Sequence, residues 1–146
     1  MLRTMPREMT PEEVRAFLLE GTRTAKLAVV RKDGRPHVSP VWFVLDGDDL
    51  LFTTGAKTVK GHALRRDGRV MLCIDDDRPP YAFVRVEGRA QTSEDLEEVR
   101  RWATAIGARY MGAARAEEFG RRNAVPGELV VRLRPTKVIA DFDVSG

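Results

Sequence analysis

The sequence predicts an antiparallel β-barrel flanked by helices, and three observations carry that expectation. Asp33-Gly34 and Asp46-Gly47 each stand between apolar runs, the signature of tight hairpins. Ala82–Gln91 alternates, with Val84, Val86, Gly88 and Ala90 on one face and Arg85, Glu87, Arg89 and Gln91 on the other. A chain of 146 residues is one domain by default, 1–146, here with a short N-terminal tail over 1–9. In so small a domain, about six hairpin-linked strands bury their edges most easily by curling into a barrel.

The elements follow in order. Thr10-Pro11-Glu12-Glu13 opens a helix as a capping box, Val14, Phe17 and Leu18 form its apolar stripe, and Gly21 ends it. Ala25–Arg31, Pro36–Leu45 and Leu50–Thr54 read as a three-stranded antiparallel meander through the two Asp-Gly turns. Gly55 breaks the third strand, and Thr58–Asp67 reads as a short helix with Val59, Ala63 and Leu64 inward. Val70–Asp75 is a fourth strand. Pro79-Pro80 forbids a regular ladder in the loop that leads to Ala82–Gln91. Ser93 is expected to cap a longer helix with Leu96, Val99, Ala103, Ile106 and Tyr110 on its inner face, and Trp102 in the core. A shorter helix follows around Ala113–Arg121. Glu128–Leu133 and Lys137–Val144 are two strands, or one strand bent at Arg134-Pro135.

Composition narrows the function. The longest apolar run, Val41–Leu45, is far short of the roughly 18 residues of a membrane span, and the N-terminus lacks the apolar stretch of a secretory signal. The lone Cys73 excludes an intrachain disulfide, so a reducing cytoplasm is the expected setting. The net charge of +3 comes from mixed charges with no basic run, which argues against nucleic-acid binding. Most of the 25 basic residues are arginines, which reads as genome-wide bias rather than function, so the paired lysines Lys57 and Lys60 stand out. The histidines His37 and His62 form no cluster, and no metal site is expected. Asp75–Asp77 reads as a solvated loop, with calcium chelation as the alternative. His37 and Ser39 point in parallel from one strand, which does not make a hydrolytic triad.

The most informative stretch is Leu50–Lys60. A strand ends in the hydroxyls of Thr53 and Thr54, a glycine permits close approach, and a helix then begins beside two lysines. Free N–H groups, a helix dipole and ammonium groups suit a phosphate. The alternative is a plain strand–turn–helix capped by Thr58 with solvated lysines.

At this point the sequence resembles a family. Gly34–Trp42, Leu51–Thr54, the Lys57–Lys60 turn, Leu64–Val70 and Tyr81–Ala90 with its Glu87-Gly88 pair resemble the pyridoxamine 5′-phosphate oxidase-like split barrels. The resemblance spans about Val14 to Ile139 and is nearest to the actinobacterial branch that uses the deazaflavin coenzyme F420, with which the arginine and alanine bias of a high-GC genome agrees. It implies a mainly β, six-stranded antiparallel split barrel with flanking helices. It also implies a homodimer with two cofactor sites at the interface. By that resemblance Thr53, Thr54, Lys57, Thr58, Val59 and Lys60 cradle the cofactor phosphate, Lys60 matching best. Pro40, Val41 and Trp42 line the ring, with core or interface as the other reading of Trp42. Tyr81 and Phe83 reach the site from the neighbouring strands, from the partner chain. The turn lacks the arginine-lysine doublet of pyridoxamine phosphate oxidases, and the tail lacks their substrate-binding arginine and histidine, which turns the reading away from that substrate.

The expected function is hydride transfer between reduced F420 and a small conjugated molecule. The alternatives are an FMN-dependent oxidase or reductase, or a non-catalytic carrier of F420, FMN or haem. No catalytic side chain is demanded, although Tyr81 or His37 could supply a proton; the substrate is not legible. Arg65 and Arg66 are either a solvated helix face or a collar for an anionic tail. The apolar strand Val41–Leu45 is expected to bury one face in a homodimer interface of roughly 2,000 Å² or more.

Overall fold

A computed structural model describes residues 8–144. Helix α1, Pro11–Leu19, starts at the expected capping box: Thr10 Oγ1 accepts from the Glu13 N–H at 3.2 Å, and Glu13 Oε1 accepts from the Thr10 N–H at 3.0 Å. The other elements are β1 Ala25–Val30, β2 Pro36–Val41, β3 Val44–Asp46, β4 Asp49–Gly55, α2 Val59–Arg66, β5 Arg69–Asp75, β6 Phe83–Ser93, α3 Leu96–Met111, a 3₁₀ turn Ala113–Arg115, α4 Ala116–Asn123 and β7 Glu128–Asp141.

The strands form one antiparallel sheet of seven in the order β2-β1-β5-β6-β7-β4-β3. The connectivity forces it to curl. In a flat sheet the edges β2 and β3 would lie about 29 Å apart, at about 4.8 Å per strand. Yet they are consecutive in the chain, and Val41 to Val44 can span at most about 11 Å. The two edges therefore meet at Trp42–Phe43.

That corner corrects two expectations. The run Pro36–Leu45 is two strands, not one, which raises the count from six to seven. Nor is the first half a three-stranded meander, since β2 and β3 occupy opposite edges. The cause lies far along the chain. The Phe43 N–H donates to Tyr110 Oη at 3.2 Å, and the Phe43 carbonyl accepts from Arg109 at 2.8 Å. Side chains from α3 thus replace the ladder bonds this residue would otherwise need.

Other corrections are smaller. Val59 is 43% exposed, because α2 buries Gly61, Ala63 and Leu64 instead. Asp95 caps α3, accepting from the Glu97 N–H, while Ser93 accepts from the Asp95 N–H one step earlier. Leu96 is exposed at the start of α3. Of the two readings of the C-terminal strands, the single bent strand holds, with the register shift beside Pro135 where β7 passes the Glu87/Gly88 bulge. There a Cβ on Gly88 would sit 2.4 Å from the Arg134 carbonyl oxygen, so the close approach requires glycine. The expected tail over 1–9 lies outside the described residues up to residue 7; Glu8 bridges Asp141 and the Met9 N–H donates to the Ala140 carbonyl.

The barrel interior is filled by Leu27, Phe43, Phe52, Leu72, Ile74, Val84, Leu129, Val131 and Leu133. Outside it, α3 covers Leu51 and Val130 with Val99, and Trp102 packs half-buried against them. Strand β4 is buried on both faces for this reason, and its sequence is accordingly continuous Leu50-Leu51-Phe52.

Candidate functional site

An open cleft of about 370 Å³ lies where the end of β4, the start of α2, the β2 corner, α3, α4 and the start of β7 converge. Its size is that of a small-molecule site. Of the residues singled out in the sequence it gathers Pro40, Val41, Trp42, Thr53, Thr54, Thr58 and Lys60. Lys57, Val59, Tyr81 and Phe83 do not line it. Gly55, Ile106, Phe119 and Glu128 complete it.

One wall is polar. Thr58 caps α2: its hydroxyl donates to the Gly55 carbonyl at 2.8 Å and accepts from the Gly61 N–H at 3.0 Å. Since that proton is spent, the Thr54 hydroxyl, 3.3 Å away, donates to Thr58. Two of the three threonines therefore hold the turn in shape, and Thr53 lines the cleft beside them. The N–H groups of Val59 and Lys60 have no intrahelical acceptor. Gly61 makes this geometry possible, because a Cβ there would lie 2.1 Å from the Gly55 carbonyl oxygen. Helix α2 starts at Val59, so Lys57 precedes the cap and stands exposed in the turn. The three-residue spacing of the lysines therefore does not put both on one helix face. Lys60 alone lines the cleft and is half-buried.

The opposite wall is apolar and comes from α3 and α4. The Trp42 ring stacks on Tyr110 at 4.9 Å with planes 1° apart, and lies 5.8 Å from Phe119. Tyr110 Oη also donates to the Arg23 carbonyl at 2.8 Å. Beside it the Arg109 guanidinium donates to the carbonyls of Leu18, Gly21 and Phe43 and lies over the Phe43 ring. Burial pushes the Arg109 pKa down and the Tyr110 pKa up. Phe119 reaches the cleft because Gly107 leaves room for it; a Cβ there would meet Phe119 Cβ at 2.8 Å. An isolated glycine inside the α3 pattern was the sequence signal for this close packing. Glu128 gave no signal, since its place depends on β7 pairing with β4, Glu128 opposite Gly55.

The remaining candidates are committed elsewhere. Arg65 pairs with Glu94 at 3.6 Å, and Arg66 donates to the Val30 carbonyl. Asp75 pairs with Lys26, while Arg78 and Arg23 hold Asp76 down at a pKa of about 2. His37 and Ser39 share the inward face of β2, each with one buried polar atom that has no hydrogen-bond partner among the described residues. A larger cavity of about 670 Å³ lies at the other end of β4, under α1. Its Arg15 and Arg134 already engage the Gly47 carbonyl and Asp49, so it offers no free cation cradle.

Among known proteins, the family model described as Pyridoxamine 5′-phosphate oxidase matches residues 10–140. No curated protein matches the chain. A conserved hypothetical protein of Mycobacterium tuberculosis is similar in structure, with a TM-score of 0.82 and 26% identity over 97% of this chain and 89% of that one. An F420 reductase is similar with a TM-score of 0.65 and 26% identity over 83% of this chain and 92% of that one. The heme storage protein of Vibrio cholerae shares the fold, with a TM-score of 0.72 and 18% identity over 91% of this chain and 95% of that one.

Proposed function

The chain belongs to the pyridoxamine 5′-phosphate oxidase family, and on that premise we propose that it is an oxidoreductase using F420, with FMN the alternative occupant of the same cleft. One observation carries the reading: a single cleft is lined by a half-buried lysine and three threonines at the start of a helix on one side and by aromatic rings on the other. That donor set fits an aromatic ring system joined to a phosphate. Similarity to an F420 reductase supports the deazaflavin.

In this reading the Lys60 ammonium, the Thr53 hydroxyl and the N–H groups of Val59 and Lys60 hold the phosphate. Thr54 and Thr58 act by keeping the turn rigid. Lys57, exposed at the mouth of the turn, contributes a screened charge. Pro40, Val41 and Trp42 orient the ring, with Ile106 and Phe119 excluding water behind it. When bound, the cofactor supplies the hydride chemistry. Its substrate is a small conjugated molecule that stacks on the face left open.

The protein functions in the cytoplasm as a homodimer of single-domain chains. No helix of the described residues is long and apolar enough to cross a membrane. The sequence placed the interface on one face of Val41–Leu45; Val41 and Phe43 are buried within the chain itself, which leaves the Trp42 side of that run for a partner. The outward face of β2, β1 and β5 is better suited. Val30 and Val38 are 55% and 66% exposed there, beside Ala28 and Met71. Pro40 belongs to that face and also lines the cleft, so a second copy would arrive at the cleft's edge. Phe83 lies on the same outward side, and Tyr81, held exposed at φ +64, precedes it. Such a backbone in a bulky residue suits a side chain held out for function.

Fluorescence titration with F420 and FMN tests this. Tighter binding of F420 at low salt, with the gap narrowing as salt rises, is the expected result. Equal or tighter FMN binding at low salt transfers the function to the flavin, and binding of neither overturns the reading.

A further inference from the structure

Glu128 is an acid in a site that should attract anions. It opens β7, pairs with Gly55 across the ladder, and lines the cleft with Lys60 and Thr53. Its Oε1 lies 3.7 Å from where a Cβ on Gly55 would be, so the carboxylate overhangs the turn that Thr54 and Thr58 brace. Among the described residues its carboxylate has no hydrogen-bond or ion-pair partner. The carboxylate is thus partly buried at the cleft and spent on neither a cap nor an ion pair. Burial pushes its pKa up and nearby Lys60 pulls it back down, which places the two charges within reach of each other.

We infer that Glu128 is a charge filter, setting this cleft to accept a phosphodiester and to resist a terminal phosphomonoester. The inference rests on the cofactor reading above and deepens it. Lys60 and Glu128 together leave the cleft close to neutral. A phosphomonoester brings about 1.5 to 2 negative charges near neutral pH, whereas a phosphodiester brings one. Repulsion by a fixed carboxylate scales with that charge, so the penalty on the monoester is about twice that on the diester in logarithmic terms. The diester also has an ester oxygen leading onward, so its phosphate need not be enclosed on every side. Glu128 occupies the side that a terminal phosphate would need covered by donors.

The test compares wild type with the isosteric Glu128→Gln variant, titrating riboflavin, FMN and F420 by fluorescence. The three ligands carry zero, about two and one charge at the phosphate position. Removing the carboxylate should tighten FMN about tenfold, tighten F420 about threefold and leave riboflavin unchanged. Glu128→Ala should give the same order, and thermal unfolding of both variants should match wild type. Gains that are absent, or equal for all three ligands, overturn the filter and leave the cofactor reading standing. If none of the three binds either protein, the cofactor reading itself falls, and the filter with it.

Discussion

The β4–α2 turn and the Trp42–Phe43 corner face each other across one cleft, yet they are built in opposite ways. The turn is local: Thr54, Gly55, Thr58, Gly61 and His62 close its hydrogen bonds among themselves, with one anchor from the Ala56 N–H to the Gly127 carbonyl. The corner is remote: its backbone is satisfied by Arg109 and Tyr110, and its ring by Tyr110 and Phe119. One wall of the site is therefore fixed by short-range stereochemistry and the other by tertiary docking of α3. Loss of a side-chain charge in the first should be read in phosphate binding alone, displacement of its tightly packed backbone in stability as well, and damage to the second in the stability and placement of the aromatic wall.

The largest effect is expected from Gly61→Ala. A methyl group there must push the Gly55 or Ala56 carbonyl aside, and overpacking against backbone costs about 3 kcal/mol. Thermal unfolding should show that loss and titration should show cofactor binding abolished; a variant with wild-type stability would mean the turn is softer than its contacts state. Tyr110→Phe comes next. It keeps the stack on Trp42 but strips the hydroxyl from the Phe43 N–H and the Arg23 carbonyl, a loss of about 1–2 kcal/mol. Denaturant unfolding measures it, and Trp42 fluorescence should shift as the corner loosens. Lys60→Ala sharpens the contrast from the other side. It should leave stability within about 0.5 kcal/mol while weakening phosphate-bearing ligands by about 1–3 kcal/mol. Unchanged affinity in calorimetry would remove Lys60 from the phosphate cradle.

The same contrast explains what could be read from the chain alone. The turn was legible because Thr53 through Lys60 are contiguous and obey capping rules, although Thr54 and Thr58 proved to be braces. Lys57 fell outside the helix for a local reason, the cap standing one residue after it. The corner was not legible. Val41–Leu45 reads as one apolar strand, and nothing within it says that residues some 67 positions away will take over Phe43's hydrogen bonds. Strands β1, β4, β5 and β6 were readable from alternation and turns, but their order in the sheet was not, since pairing is decided by long-range contacts. Ile106, Phe119 and Glu128 entered the cleft by that route.

The place of β7 in the sheet has a consequence for how the molecule comes into being. It joins β6 to β4, and without it the sheet is two pieces, β2-β1-β5-β6 and β4-β3, that share no ladder. The strand that unites them is the last of the seven in chain order. Until residue 141 has emerged, a growing chain can pair its early strands but has no closed barrel, and Leu129, Val131 and Leu133 are missing from the core. Glu128 and the anchor on Gly127 arrive with the same strand. Closure, core completion and the arrival of Glu128 at the cleft thus all wait on one long-range pairing. A cofactor that binds the cleft binds only finished molecules.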